Sequence, residues 1–210
     1  MNRFILMVAF LLLQVNAFSQ LLVDFSKIPL DDDTFYIVSR GTNGKVGMMA
    51  GTFNTVEYCS THVGLAIAEH GELQVYHISN DNPDRHTALV KESAEAFSTC
   101  EGAVYFSIWQ YQSALDILPK LKSMLQNYAA KDILFDYDFN ADDDSKLYCS
   151  EFCVNVLQAV NNRAFNYPLA TIKLDALCSF ALQKEILAYW PVDFYQSSGD
   201  FKKVYEAYSD

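Results

Sequence analysis

The alternation of apolar and polar residues predicts several short strands. Residues 34–38 and 103–109 are aromatic and β-branched runs of strand length. Residues 61–68 are apolar at nearly every position, which is typical of a central strand with both faces buried. Residues 73–78 form a returning strand, and His70-Gly71 predicts a two-residue turn between the two strands. The pattern therefore indicates an antiparallel hairpin at the centre of the fold.

Apolar residues recur at intervals of three and four in other stretches, and this spacing predicts helices. The predicted helices cover residues 114–128, a segment that begins at Cys149, and residues 174–187. The glycines in residues 41–44 predict a turn, and residues 46–54 favour a short helix. The buried stripe predicted for the helix at Cys149 consists of Phe152, Cys153, Val156, Leu157 and Val160.

The first 19 residues have the features of a secretory signal peptide. Arg3 precedes an apolar run at residues 4–15 that is too short to span a bilayer comfortably, and the small residues Ala17 and Ser19 follow it. We expect cleavage to release one domain, residues 20–210. That domain would be exported to the periplasm or the extracellular space, without stable membrane insertion.

Charge and cysteine content narrow the choice of partners. The net charge of −11 disfavours nucleic acid and leaves peptide, lipid or other small-molecule substrates. The five cysteines are an odd number for an exported protein, so at least one thiol is not paired within the chain. Cys149 and Cys153 cannot easily bridge within one helix, whereas Cys59, Cys100 and Cys178 could include a pair. The sequence specifies neither the pairing nor the oligomeric state.

Acidic and amide side chains alternate in residues 136–142 with the spacing of a calcium-binding loop. Ala141 occupies the position that needs glycine, and Leu147 occupies the position that needs a bidentate glutamate. The alternation of acidic and aromatic residues fits an edge strand and loop better. The sequence therefore favours no metal site in this segment.

Cys149 stands where this acidic loop changes into a helix. The upstream aspartates and Ser145 are residue types that cap a helix, so we expect Cys149 in or near the first turn. The helix dipole and unpaired backbone N–H groups there favour a thiolate, which is the nucleophile of covalent catalysis. The alternative is that Cys149 is a small apolar residue at a helix end.

Two histidines are predicted to meet on the central hairpin. With a turn at His70-Gly71, position 64 faces position 77, so His62 and His77 are diagonal neighbours about 5–8 Å apart on one face. Gly64, directly opposite His77, has no side chain to crowd the two rings. The alternative is one core histidine beside an unrelated one.

These residues together predict a cysteine hydrolase. Cys149 would be the nucleophile, His62 would take its proton and return it to the leaving group, and His77 would hold the His62 ring. Backbone N–H groups at the helix start would bind the oxyanion, together with the Tyr148 hydroxyl.

The same residues resemble a known family. Residues 61–65, Thr-His-Val-Gly-Leu, resemble the His-Val-Gly motif of the circularly permuted NlpC/P60 hydrolases. Residues 148–151, Tyr-Cys-Ser-Glu, resemble their nucleophile motif, and Phe135-Asp136 with Phe139 resembles the segment before it. The YiiX/YebB-like branch is the most similar. The permutation accounts for a histidine that precedes the cysteine in the chain.

The resemblance implies an α+β, papain-like fold. Its central antiparallel sheet, or partial barrel, packs against helices that include the one bearing Cys149. Cys149 would be nucleophile, His62 base and His77 orienter, with Tyr148, Ser150 and Glu151 around the oxyanion and substrate pocket, and no cofactor or metal. Bacterial members often have glutamate where this chain has His77. The family's Gly-Asp pair is replaced by Asp32-Asp33.

The leading hypothesis is an exported cysteine hydrolase that cleaves an amide in a cell-wall peptide or another small molecule. A lipid thioesterase or acyltransferase is the alternative enzyme, and a wide apolar groove beside Cys149 would favour it over polar peptide subsites. A third hypothesis is a binding module of the same fold without catalysis. A metal site formed by His62, His77 and Cys149 is the remaining possibility.

Overall fold

The computed structural model describes residues 21–81, 86–112 and 116–209. The predicted signal peptide at residues 1–19 lies outside the described residues and stays a prediction. The first two residues of the helix predicted at 114–128 also lie outside them.

The structure mixes short strands with helices. The described strands are β1 (Phe35–Thr42), β2 (His62–Glu69), β3 (Glu72–Ile78), β4 (Leu89–Ser93), β5 (Ala103–Tyr111), β6 (Leu134–Phe135), β7 (Lys146–Leu147), β8 (Ala170–Lys173), β9 (Ile186–Tyr189) and β10 (Phe201–Tyr208). The described α-helices are α1 (Lys45–Gly51), α2 (Ala94–Ser98), α3 (Leu118–Ala129), α4 (Cys149–Asn161) and α5 (Ala176–Leu182), and Phe25–Lys27 is a 3₁₀ turn.

Six strands form the central sheet in the order β10-β5-β1-β2-β3-β4, and all neighbouring pairs are antiparallel. β6 pairs with β7 in parallel, and β8 pairs with β9 in antiparallel fashion. The sheet is open, with β10 and β4 at its edges. The fold is therefore α+β with a central antiparallel sheet, as the sequence predicts.

The central hairpin has the register that its turn predicts. β2 and β3 pair without interruption up to the turn, and continuing this register places Gly64 opposite His77. His70 and Gly71 have φ angles of 57° and 82°. Two successive positive φ angles are what a two-residue type I′ hairpin turn requires.

The Cys149-bearing helix α4 packs on one face of the sheet, against β2 and β3, and α3 packs against α4. The predicted stripe of α4 is buried at every position, namely Phe152, Cys153, Val156, Leu157 and Val160. Full burial of a large apolar side chain contributes roughly 1.5–3 kcal/mol to the stability of the fold.

Among the described residues, no helix combines the length and apolar character needed to cross a membrane.

The opposite face of the sheet is also covered. Leu21 and Phe97, the latter on α2, join a buried cluster with Val38, Ala66 and Val75 from the first three strands. Because both faces are covered, β2 is apolar at nearly every position. The sequence pattern predicts neither β4 nor α2.

Two local predictions are wrong. β1 continues through Thr42, so half of the turn predicted at residues 41–44 belongs to a strand. The reason lies in Gly41, where a Cβ would collide with the backbone carbonyl oxygen of Cys59. The glycine permits a close crossing of two backbone segments there, rather than a turn.

The helix predicted at residues 174–187 is also too long. α5 begins after its N-cap Asp175 and ends at Leu182, before the C-cap Gln183 with a φ of 51°. It is flanked by the strands β8 and β9. Leu177 and Phe180 are 77% and 84% exposed, so its apolar spacing does not mark a buried face.

Candidate active site

Cys149 is the first residue of α4, as predicted, but the predicted capping residues are wrong. Tyr148 is the N-cap, and its backbone N–H donates to the Glu151 carboxyl at 3.3 Å. Ser145 instead forms a local turn, in which its hydroxyl donates to Asp143 at 2.6 Å. The first-turn position places backbone N–H groups that have no carbonyl partner within the helix beside the thiol.

The two hairpin histidines are in direct contact. The Nε2 atom of His62 lies 2.8 Å from the Nδ1 atom of His77, and the two rings are perpendicular with centroids 5.0 Å apart. His77 is 1% exposed, whereas His62 is partly exposed. The buried His77 therefore holds the His62 ring in place through this hydrogen bond.

Phe97 and Arg40 support this pair. The Phe97 ring lies 5.7 Å from the His62 ring and 5.0 Å from the His77 ring, measured between centroids. Arg40 is paired with His62 across β1 and β2, and its guanidinium lies 4.6 Å from the Phe97 centroid. Arg40 also donates to the backbone carbonyl of Phe97 at 2.9 Å and to Asp81 at 3.3 Å. These contacts fix a buried cation beside the histidines.

Both histidines are held in the neutral form. Burial lowers the pKa of His62 well below its usual value, and the charge of Arg40 lowers it further. Burial also lowers the pKa of His77, against the opposing effect of a hydrogen bond with Glu92. At neutral pH, each ring therefore has one protonated and one unprotonated nitrogen.

The environment of Cys149 differs from the sequence expectation of a stabilised thiolate. Burial raises the pKa of the Cys149 thiol, although bonds from the backbone N–H groups of Val63 and Ser150 lower it. Desolvation disfavours the anion more than the helix start favours it. The resting group is thus a thiol, and a base must take its proton when it attacks.

Cys149 and His62 line the same cavity, which has a volume of about 1380 Å³. Its polar lining residues include Arg40, Thr42, Asn43, Asn80, Asp81 and Glu101. Its apolar and aromatic lining residues include Phe53, Phe135, Phe139, Leu182, Leu187 and Tyr189. The cavity can therefore accommodate a molecule with both an apolar and a polar portion.

The three residues predicted around the oxyanion and substrate pocket have different surroundings. Tyr148 and Ser150 line the cavity, where the Tyr148 hydroxyl accepts the N–H of Trp190 at 2.9 Å. The Ser150 hydroxyl donates to the Trp190 carbonyl at 2.7 Å. Glu151 is 1% exposed and is not among the described residues that line the cavity. Its burial raises the pKa of the Glu151 carboxyl to about 8.

Among the described residues, the remaining cysteine and acidic side chains do not form a metal site. All five cysteines are unpaired, including Cys59, Cys100 and Cys178. Asp136 instead shapes the acidic loop, since its carboxylate accepts the backbone N–H groups of Asp138 and Asn140 at 2.8 and 2.5 Å. In the part of the chain that the structure describes, no group of three histidine, cysteine or acidic side chains is arranged to hold a metal ion.

Comparisons with known proteins support the fold. No family model and no curated protein matches the chain. Among solved structures, the chain is similar to the metalloprotein YiiX from Escherichia coli O157:H7, with a TM-score of 0.59 and 15% sequence identity. The match covers 84% of this chain and 98% of that chain. The protein therefore has a YiiX-like fold.

YiiX is described as a metalloprotein, and His62, His77 and Cys149 are residue types that can bind a metal. The His62 Nε2 and His77 Nδ1 atoms, the nitrogens that face each other, are joined by a hydrogen bond. The other nitrogen of His77 contacts Glu92. Because these nitrogens are bonded to protein atoms, the residues present do not fit a site made of His62, His77 and Cys149.

Proposed function

We propose that the protein is an exported cysteine hydrolase that cleaves an amide bond, in a cell-wall peptide or another small molecule, through an acyl-enzyme on Cys149. The main support for this proposal is that a neutral His62, hydrogen-bonded to His77, lines the same cavity as the Cys149 thiol at the start of α4. A nucleophile, a base and a group that orients the base are the minimum set for this chemistry. The relation to the permuted NlpC/P60 hydrolases rests on the two short motifs.

The reaction follows from these groups. His62 takes the thiol proton as the sulfur attacks the carbonyl carbon, and the imidazolium then protonates the departing amine as the C–N bond breaks. Backbone N–H groups at the start of α4 stabilise the oxyanion. Water, deprotonated by His62, then attacks the thioester and restores the Cys149 thiol.

A lipid thioesterase or acyltransferase is the second candidate. The apolar lining residues of the cavity, with Phe53, Phe139 and Leu187 among them, favour it. An acyl chain packed against such residues would bury its methylenes at about 0.8 kcal/mol each. Both candidates use the same thiol chemistry and differ in the acyl group and the leaving group.

The test is to incubate the protein with a peptide amide and with an acyl-lipid thioester of matched acyl length. Intact-mass measurement would follow the covalent adduct, and product release would follow turnover. We expect an adduct on Cys149 that is absent in Cys149→Ala. Faster acylation by the amide supports the first candidate, and faster acylation by the thioester supports the second.

A non-catalytic binding module would give a different outcome. Ligand would then bind equally to the wild type and to Cys149→Ala, without any adduct or product. Export is tested separately, since the secreted protein should begin near Gln20 when its N-terminus is determined by mass spectrometry. Intact Met1 on protein recovered from the periplasm or the medium would contradict cleavage.

A further inference from the structure

Glu92 contacts the histidine pair from the edge strand β4. It pairs with Val75, two residues before His77, so its side chain lies on the same face of the sheet as His77. One carboxylate oxygen of Glu92 lies 2.9 Å from the Nε2 atom of His77. The same oxygen lies 4.0 Å from the Arg40 guanidinium, which favours the ionised carboxylate.

This contact determines where the protons lie. An ionised carboxylate only accepts hydrogen bonds, so the Nε2 atom of His77 must carry the hydrogen. Because His77 is neutral, its Nδ1 atom is then an acceptor, and the Nε2 atom of His62 must donate to it. His62 is also neutral, so its Nδ1 atom is left with a free lone pair.

We infer that Glu92 is the positioning residue behind the Cys149, His62 and His77 array, and that it makes Nδ1 of His62 the atom that receives the thiol proton. Nε2 of His62 is occupied by His77, so Nδ1 is the only ring nitrogen available to Cys149. This inference rests on the proposed function. It adds a fourth residue, on an element that the sequence pattern does not predict, and it assigns the tautomers of both rings.

The array also accounts for the charge that forms during the reaction. When the S–H bond breaks and the sulfur bonds to the carbonyl carbon, the proton moves to Nδ1 of His62 and the ring becomes positive. The Nε2–H of His62 then donates more strongly to His77, whose own Nε2–H donates to the Glu92 carboxylate. No proton needs to move along the array, and the proton on Nδ1 leaves with the departing group.

The experiment uses Glu92→Gln in the mature full chain. The amide has nearly the same shape as the carboxylate but can either accept or donate, so it no longer selects one tautomer. The ¹⁵N and ¹H NMR spectra of the histidine rings report the tautomers directly, without substrate. In the wild type, we expect hydrogen on Nε2 of both His62 and His77. In the variant, we expect signals from Nδ1–H as well.

A kinetic readout accompanies the spectra. Iodoacetamide labelling of Cys149, followed from pH 5 to 9, should slow by about tenfold or more at neutral pH in Glu92→Gln, because fewer molecules have a free Nδ1 lone pair on His62. The pH profile is set by His62, His77 and Cys149 together with the charges of Arg40, Asp81 and Glu92 that face them.

The matched control is Glu69→Gln. Glu69 is on β2 and accepts from Lys91 of β4 at 2.8 Å, so the variant removes one carboxylate from the same sheet at a distance from the histidines. In Glu69→Gln, the tautomers of His62 and His77 and the rate of Cys149 labelling should match the wild type. Thermal unfolding should show that both variants are folded.

Two results would overturn the inference: an Nδ1–H tautomer of His62 in the wild type, or unchanged spectra and labelling in Glu92→Gln. A failure of the proposed function looks different. In that case, the tautomers and labelling follow the expectation, but no amide or thioester acylates Cys149.

Discussion

Gly64 faces His77 across the central hairpin, and a Cβ on Gly64 would lie 3.1 Å from the Cβ of His77. The same added atom would lie 2.8 Å from a Val75 methyl and 3.0 Å from the Tyr76 carbonyl oxygen. Two of these three neighbours are backbone or Cβ atoms, which cannot move without shifting the strand. The glycine therefore sets the space in which the His62 and His77 rings meet.

Gly64→Ala should lower the free energy of unfolding by about 1–3 kcal/mol, because the methyl group overpacks the hairpin. It should also slow the labelling of Cys149, since β3 must shift away and take His77 with it. Urea unfolding and iodoacetamide kinetics measure the two effects. Gly71→Ala is the control, because a Cβ there has no atom within 4 Å but meets a φ of 82°. It should cost stability without a change in labelling, and equal labelling by both variants would contradict the role of Gly64.

Cys149 should react with iodoacetamide at least about tenfold faster than Cys153 at neutral pH. Cys153 is fully buried, and burial raises the pKa of its thiol well above the usual value, whereas Cys149 lines the same cavity as His62. His62→Ala should slow labelling at Cys149, because the base is lost. The exposed His86 provides the control His86→Ala. Peptide mass spectrometry after timed quenching gives both rates, and equal rates at the two cysteines would refute an activated thiol.

Local patterns account for much of this site. The turn at His70-Gly71 fixes the register of β2 and β3, so the contact between His62 and His77 can be predicted from adjacent residues alone. The position of Cys149 follows from the change between an acidic loop and a periodic helix. In both cases, the interacting residues are close together in the sequence, so the spacing of residue types is sufficient to place them.

Contacts between distant segments could not be predicted in the same way. Glu92 reaches His77 only because β4 adds to the edge of the hairpin, after a loop and without a strong alternating pattern. Arg40 meets Asp81 and Phe97 through pairing that depends on the whole sheet. The excessive length predicted for α5 has a related cause, since apolar spacing at Leu177 and Phe180 indicates burial only where another element covers them.

Asp193 should be essential for stability. Its fully buried carboxylate accepts the backbone N–H groups of Thr55, Val56 and Glu57, in the loop that leads to β2. Asp193→Ala leaves these donors without their acceptor, which should cost roughly 3 kcal/mol or more. Chemical denaturation against the exposed-site control Asp116→Ala measures the effect. A loss of less than about 1 kcal/mol would show that water or a rearranged loop replaces the carboxylate.

The neutral histidines should make folding sensitive to acid. The folded pKa of His62 lies well below 6.5, so the unfolded chain binds a proton first as the pH falls. The contribution of His62 to the free energy of unfolding is thus complete above pH 6.5 and is lost as the pH drops toward the folded pKa. We expect the stability difference between wild type and His62→Asn to shift by pH 5 in favour of the variant. Urea unfolding at pH 7.5 and at pH 5 measures it, and a pH-independent difference would contradict a neutral, desolvated ring.

The contribution of Glu151 to stability should have a pH dependence opposite to that of His62. Burial, together with the charges of Asp136, Asp143 and Asp144, raises the pKa of its carboxyl to about 8 from an ordinary value of 4.5. Its stabilising effect is complete below pH 4.5 and is lost as the pH rises through 8, because the folded protein must then bury an anion. Glu151→Gln keeps an acceptor for the Tyr148 N–H but cannot ionise. The variant should therefore be more stable than the wild type at pH 9, with the gain shrinking toward pH 4.5. Denaturation curves across this range test the prediction, and a gain that is equal at both ends would mean that Glu151 is not forced to ionise in a buried site.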